Sequence, residues 1–261
     1  MAGPILVFDS GIGGLSVLNT IKSVLPEASY CYVFDNARLP YGELDEQDLI
    51  AGCVTLICDI AVREKAALVV VACNTASTLV LPILRQKMSI PIVGVVPAIK
   101  PAATSSIRKK IGLLATPATV TRAYTRDLIQ RFASDCEVHL FGSSELVLLA
   151  EEKAIGDRID KQCLELILTP VKNSGVDTLV LGCTHFPVLK NEIQAILGSD
   201  IQLLDSELAI ASRVQCLFKN EKAQRDKSNT TAYYTANSIS LALKNKLAND
   251  GFVNVSRFHI G

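Results

Sequence analysis

The chain has no tryptophan and only 5% aromatic residues, so large rings cannot be the main filling of its interior. Apolar residues still make up 49% of its 261 positions, a share that argues for a packed protein and against disorder. Val, Ile, Leu and Ala must do the packing, as they do in parallel sheets buried on both faces. A charge surplus is missing as well, since Lys plus Arg and Asp plus Glu each total 26. Without basic excess there is no general attraction for nucleic acid or for an anionic membrane surface. The expected partner is a small molecule. No apolar run approaches the roughly 20 residues that span a bilayer. Met1 leads straight into the strand-like Pro4-Ile5-Leu6-Val7-Phe8, with neither a basic n-region nor a small-residue cleavage site. A cytoplasmic location is therefore expected, where thiols stay reduced unless they are catalytic or bound to metal. No pair among the 8 cysteines has CxxC spacing, and Cys53 and Cys58 stand five apart, so zinc-ligand spacing is absent.

What is present is a regular alternation of short apolar runs with longer amphipathic stretches. Strands are expected at Ile5–Phe8, Tyr30–Phe34, Leu68–Ala72, Ile92–Val95, Ile111–Ala115, Glu137–Phe141, Thr178–Leu181 and Ile201–Leu204. Helices are expected at Gly14–Val24, Asp45–Glu64, Ala76–Gln86, Thr119–Phe132 and Asp157–Asn173. Strand followed by helix implies right-handed crossovers and an α/β protein with mainly parallel sheets. One internal echo organises this pattern. Leu68-Val69-Val70-Val71-Ala72-Cys73-Asn74-Thr75 ends a buried-strand run on a cysteine, and Leu179-Val180-Leu181-Gly182-Cys183-Thr184-His185 repeats the form 110 residues later. Open α/β sheets bind ligands beyond the carboxyl ends of their strands. The echo thus predicts two similar domains facing each other across a cleft. Their expected limits are residues 1–97 with 208–261 for the first and 98–207 for the second, the first boundary falling near Val96-Pro97.

Three groups of residues carry the chemistry. Asp9-Ser10-Gly11-Ile12-Gly13-Gly14 follows a strand and precedes a helix, so exposed backbone N–H groups are expected there, a place that suits an anion. The spacing is neither the dinucleotide fingerprint nor a P-loop, and Asp9 would repel phosphate while welcoming an ammonium group. A lone cysteine at a buried strand end is ordinarily a small apolar filler. Cys73 and Cys183 form a pair, each followed by hydroxyl or amide groups at a strand opening, and the pairing outweighs that reading. His185, two residues after Cys183, is placed to orient or protonate it. Pro40-Tyr41-Gly42 reads as a turn with a possible ligand contact through the Gly42 backbone. His139 and His259 read as structural, Glu151 and Glu152 as solvated helix charges, and Cys31, Cys53, Cys58, Cys136, Cys163 and Cys216 as core.

Phe8-Asp9-Ser10-Gly11-Ile12-Gly13-Gly14, Pro40-Tyr41-Gly42, Ala72-Cys73-Asn74-Thr75-Ala76 and Gly182-Cys183-Thr184-His185-Phe186-Pro187 closely resemble the glutamate racemases of bacterial cell-wall synthesis. The resemblance runs from Ile5 to about Leu208, and Tyr233-Tyr234-Thr235 looks like a further family strand, although Ala236-Asn237 stands where a glycine is expected. It implies racemisation of glutamate for peptidoglycan, with no pyridoxal phosphate and no metal. Cys73 and Cys183 become the two acid/base residues, Cys73 acting on D-glutamate and Cys183 on L-glutamate. Asp9 and His185 become their helpers, joined by Asp35 and by Glu151 of the Leu149-Ala150-Glu151 segment. Ser10, Tyr41, Gly42, Asn74, Thr75, Thr116, Thr119 and Thr184 would hold the ammonium and the two carboxylates. A homodimer is implied too. Some members carry an N-terminal extension through which a cell-wall precursor activates them; with the glycine loop starting at Gly11, no such activation is expected. Three rivals remain: an aspartate racemase, a hydrolase with Cys183 as nucleophile and His185 as base, and a non-enzymatic amino-acid binder that would tolerate loss of both thiols.

Overall fold

The computed structural model describes residues 3–218 and 230–259. It divides into two compact units, Met1–Val95 with Glu207–Gly261 and Val96–Ser206.

In the first unit the chain runs β1 (Ile5–Asp9), α1 (Gly14–Val24), β2 (Tyr30–Phe34), a 3-10 turn at Tyr41–Glu43, α2 (Glu46–Arg63), β3 (Leu68–Val71), α3 (Asn74–Lys87) and β4 (Ile92–Gly94). The second unit holds α4 (Ile99–Ser105), β5 (Lys110–Ala115), α5 (Pro117–Thr121), α6 (Ala123–Phe132), β6 (Glu137–Gly142), α7 (Glu145–Ala154), α8 (Lys161–Asn173), β7 (Thr178–Leu181), a 3-10 turn at Phe186–Leu189, α9 (Lys190–Leu197) and β8 (Gln202–Leu204). The chain then returns with α10 (Glu207–Phe218), β9 (Thr231–Tyr234), α11 (Leu241–Asn249) and β10 (Asn254–Arg257).

All strands pair in parallel. The first sheet has the order β10-β9-β2-β1-β3-β4 and the second β6-β5-β7-β8. Every residue of β1, β2 and β3 is buried, which explains why their sequences are unbroken apolar runs rather than alternating ones. Helices α2 and α8 start where an aspartate side chain takes the first orphan N–H groups. Asp45 accepts from Gln47 and Asp48 at 2.8 and 3.3 Å, and Asp160 from Gln162 and Cys163 at 2.9 and 3.1 Å.

The structure corrects several sequence expectations. The helix expected over Thr119–Phe132 breaks at Arg122, whose φ −70° and ψ 147° are extended. Side chains there replace the helical backbone donors, with Thr125 Oγ1 on the Thr119 carbonyl at 2.5 Å and Arg126 Nη1 on the Thr121 carbonyl at 2.7 Å. Capping by Asp160 excludes 157–160 from the helix expected to begin at Asp157. Strand β10 went unread because its exposed residues carry no apolar pattern. Of the six cysteines read as core, Cys31 and Cys53 are buried, Cys58, Cys136 and Cys163 are half-buried, and Cys216 is exposed.

Helix α2 offers a test of where stability resides. Ile57 is fully buried, whereas Val62 on the same helix is 78% exposed. Ile57→Ala is expected to cost about 2–5 kcal/mol of unfolding free energy and Val62→Ala to stay within about 0.5 kcal/mol, read by urea denaturation. Equal losses would refute this assignment of the core.

Candidate active site

Each unit gathers polar groups at the carboxyl ends of two adjacent strands. In the first, the register Phe8↔Val71 and the bond from Ala72 N–H to the Phe8 carbonyl at 2.8 Å bring the chain after β1 beside the chain after β3. Ser10 and Cys73 consequently meet, with Cys73 Sγ 3.8 Å from Ser10 Oγ. Cys73 is also the N-cap of α3, its sulfur accepting from Ala76 N–H at 3.5 Å. A donor and the positive end of a helix therefore face the sulfur, surroundings that suit a thiolate. Asn74 and Thr75 begin α3 and are buried. Asn74 Oδ1 is buried and accepts no hydrogen bond among the described residues, an acceptor left waiting for a donor.

Asp9 is fully buried at the end of β1, and its Oδ2 accepts Gly14 N–H at 2.8 Å. Leu15 and Ser16 N–H groups are taken by the Ile12 and Gly13 carbonyls. The first three N–H groups of α1 are thus satisfied inside the loop, and residues 10–15 are buried, which corrects the expectation of an open anion cradle. Gly14 is needed for another reason. A Cβ there would stand 2.7 Å from Asp9 Cβ and 3.0 Å from the Tyr32 hydroxyl, so a side chain would push the aspartate away.

Asp35, just past β2, is fully buried. Its Oδ2 takes the Tyr41 phenol and the Arg38 guanidinium, and its Oδ1 takes the Thr235 hydroxyl at 2.6 Å. Cys53 Sγ also points at the Tyr41 oxygen, 3.3 Å away. Burial, with Cys53 and the Asp35 charge beside it, holds the phenol well above its ordinary range. The Tyr41 side chain is thus committed inward, which leaves the backbone of the Tyr41–Glu43 turn as its means of meeting a ligand. This turn packs against α3, the helix that Cys73 caps. Burial pushes the Cys53 thiol up to about 12, so it stays protonated and inert.

The second unit repeats the plan. The register Leu114↔Leu181 and the bond from Gly182 N–H to the Leu114 carbonyl at 2.7 Å align the chain after β5 with the chain after β7. Thr116 and Thr119 follow β5 with their hydroxyls 2.9 Å apart, and Cys183 and Thr184 follow β7. All four are buried. Cys183 Sγ lies 3.8 Å from His185 Nδ1, and His185 Nε2 lies 2.7 Å from Glu151 Oε1. Glu151 is brought there because α7 packs against the Phe186–Leu189 turn, where Lys153 Nζ reaches the Val188 carbonyl at 2.8 Å and Glu192 at 2.6 Å. Glu151 is therefore more than the solvated helix charge its sequence neighbourhood suggested. Burial alone would lower the His185 pKa, yet hydrogen bonds to Cys183 and Glu151, with their charges, hold it well above the usual 6.5.

A family model described as Asp/Glu/hydantoin racemase matches residues 14–214. Over 259 residues the chain is 58% identical to the glutamate racemase of Shewanella piezotolerans, covering 98% of this chain and 97% of that one. It is also 58% identical to the enzyme of the same name from Shewanella woodyi, over 100% of both. The structure of Escherichia coli glutamate racemase in complex with L-glutamate and an activator, UDP-MurNAc-Ala, aligns over 100% of both chains, with a TM-score of 0.94 and 42% identity.

The chain belongs to this racemase family. As an amino-acid racemase it carries, in each unit, one cysteine with its own set of polar neighbours. Cys73 stands with Ser10 and Asn74, and Cys183 with Thr184, His185 and Glu151. Among the described residues no group of three or more His, Cys, Asp and Glu side chains could hold a metal ion. Motif reading passed over Arg38 and the role of Cys53 beside Tyr41, and took Thr235 only as part of a strand. Arg38 reaches Asp35 from one turn along the chain, Thr235 reaches it from the far C-terminal part, and Cys53 faces the Tyr41 oxygen.

The His185–Glu151 pair makes the racemase sensitive to pH in a defined direction. The folded pKa of His185 lies above its unfolded value, so its stabilisation is complete below about pH 6.5 and fades as pH rises through the folded pKa. Glu151→Gln is expected to lower the imidazole titration midpoint seen by 15N NMR. The stability gap between wild type and variant should be widest at about pH 5–6.5 and shrink above it. An unchanged midpoint would remove Glu151 as the partner.

Proposed function

We propose that the enzyme interconverts L- and D-glutamate by moving the α-proton between Cys73 and Cys183, and that it supplies D-glutamate for peptidoglycan from the cytoplasm. The observation that carries this reading is the duplicated strand-end construction, one thiol in each unit with its own polar partners, in a chain so similar to glutamate racemases. Racemisation needs a base on one face of Cα and an acid on the other, with the roles reversed in the opposite direction. One thiolate takes the α-proton, the electron pair stays on the substrate as a carbanion delocalised into its carboxylate, and the other thiol returns a proton from the opposite face. A thiol, with an ordinary pKa near 8.5, serves as either acid or base near neutral pH.

The neighbours divide the remaining work. Asp9, and His185 with Glu151, set the proton inventory of their respective thiols. The orphaned Asn74 Oδ1 suits the substrate ammonium. Ser10, Thr75, Thr116, Thr119 and Thr184, with the backbone of Tyr41 and Gly42, supply groups for the ammonium and the two carboxylates. Carbanion formation beside a carboxylate is the costly step, and fixed donors in a dry site lower it. Neither a pyridoxal group nor a metal enters this scheme. Cys183, His185 and Glu151 also have the order of a hydrolase triad, but that role leaves Cys73 unused and does not fit a racemase family. The expectation of no activation rested on where the sequence begins. The Escherichia coli enzyme aligns along its whole length with this chain and was solved with an activator, so that ground is withdrawn.

Purified enzyme dialysed against a chelator is expected to racemise L-glutamate in heavy water with deuterium entering at Cα. Cys73→Ser and Cys183→Ser should each abolish racemisation. Each variant should still eliminate HX from one enantiomer of a glutamate analogue with a leaving group at Cβ, and the two should choose opposite enantiomers. Loss of the same enantiomer in both would sink the two-base scheme.

Substrate choice gives a separate test. Glutamate should turn over far faster than aspartate, since a shorter chain forfeits about 1–3 kcal/mol and leaves carboxylate donors unpaired. Comparable rates on the two would assign the enzyme to aspartate instead.

A further inference from the structure

The end of β9 is stitched to the turn after β2 in both directions. Thr235 N–H and Ala236 N–H donate to Asn36 Oδ1 at 3.2 and 3.0 Å, while the Thr235 hydroxyl accepts Ala37 N–H at 3.1 Å and donates to Asp35 Oδ1 at 2.6 Å. The other Asp35 oxygen anchors the Tyr41 phenol and the Arg38 guanidinium. Arg38 in turn reaches the Asp48 carbonyl at 3.0 Å and the Tyr41 oxygen at 3.2 Å. It lies so close over α2 that a Cβ on Gly52 would stand 1.8 Å from its Nη1. The Tyr41–Glu43 turn is thus hung on one buried carboxylate, and the Thr235 hydroxyl alone holds the Oδ1 side of that carboxylate in the bonds described.

We propose that Thr235 is a positioning residue for substrate binding, acting through Asp35 and Tyr41 on the backbone of the Tyr41–Glu43 turn. The proposal rests on the reading that this turn contacts glutamate. Thr235 lies past the segment matched by the family model, residues 14–214, and in no catalytic motif. Its hydroxyl matters because a fully buried carboxylate oxygen deprived of its donor seeks another. Thr235, Asp35 and Arg38 border a cavity of about 240 Å³ that Arg257, Phe258 and His259 also line. Without the hydroxyl, the carboxylate relaxes toward the donors and water of that cavity and carries the Tyr41 anchor with it. A displaced binding turn weakens ground state and transition state alike, which raises KM and spares kcat.

The test compares Thr235→Val, which keeps the shape and removes the hydroxyl, with Thr235→Ser, which keeps the hydroxyl. Thr235→Ala serves as the second removal should the valine variant not fold. Glutamate KM is expected to rise about 10-fold in the valine variant, equivalent to about 1.4 kcal/mol, with kcat within about twofold; the serine variant should stay within about twofold on both. An unchanged KM, a fall in kcat at constant KM, or a serine variant as impaired as the valine one overturns the proposal. A wild-type enzyme that fails to racemise glutamate overturns the proposed function itself, and is distinguished by being seen before any variant is read.

Discussion

A strand buried on both faces can present polar chemistry only where it ends. Along β1, β3, β5 and β7 nearly every side chain is packed between helices, and a charge there would be stripped of water on both sides. The first positions free of this constraint are those just beyond the carboxyl ends. Ser10, Cys73 and Asn74 occupy them in one unit, next to Asp9 at the last position of β1, and Thr116, Cys183 and Thr184 in the other. Parallel pairing then sets these ends side by side, because residues aligned in register leave the sheet together. Both cysteines owe their neighbours to that rule.

Polar groups gathered in this way must be satisfied or they destabilise the unit that holds them. Asp9 takes the first N–H of α1, Asp35 takes three side-chain donors, and His185 bridges Cys183 and Glu151. These bonds orient the chemistry as well as stabilise it. The same environment sorts the thiols. Cys53, deep against Tyr41, is driven up to about 12 and excluded from proton transfer near neutral pH. Cys73, at a helix N-terminus, meets a donor instead. Eight cysteines are present, and position relative to strand ends, not residue type, separates two of them from the rest.

The two units share one construction. A racemase must treat mirror-image substrates alike, yet its side chains are chiral. Each unit ends two adjacent parallel strands near one cysteine with its own polar neighbours, and the two units are not identical. Asp9 takes the first N–H of α1 in one unit, and His185 holds Glu151 in the other.

Much of this was legible in the residues. Unbroken apolar runs such as Leu68–Val71 and Thr178–Leu181 reported burial on both faces, and the echo of Cys73 in Cys183 marked the two strand ends. Local capping set helix starts, as Asp45 did for α2. Other features depended on contacts between residues far apart in the chain. Glu151 became the partner of His185 because α7 packs on the turn after Cys183. Thr235 met Asp35 across 200 residues of sequence. Periodicity and motif are properties of neighbours along the chain, so the sequence by itself determined the buried strands, the main helices of the first unit and the two cysteines. Hydrogen bonding among buried charges depends on distance in space, and only the tertiary structure decided which acid, base and hydroxyl each would hold.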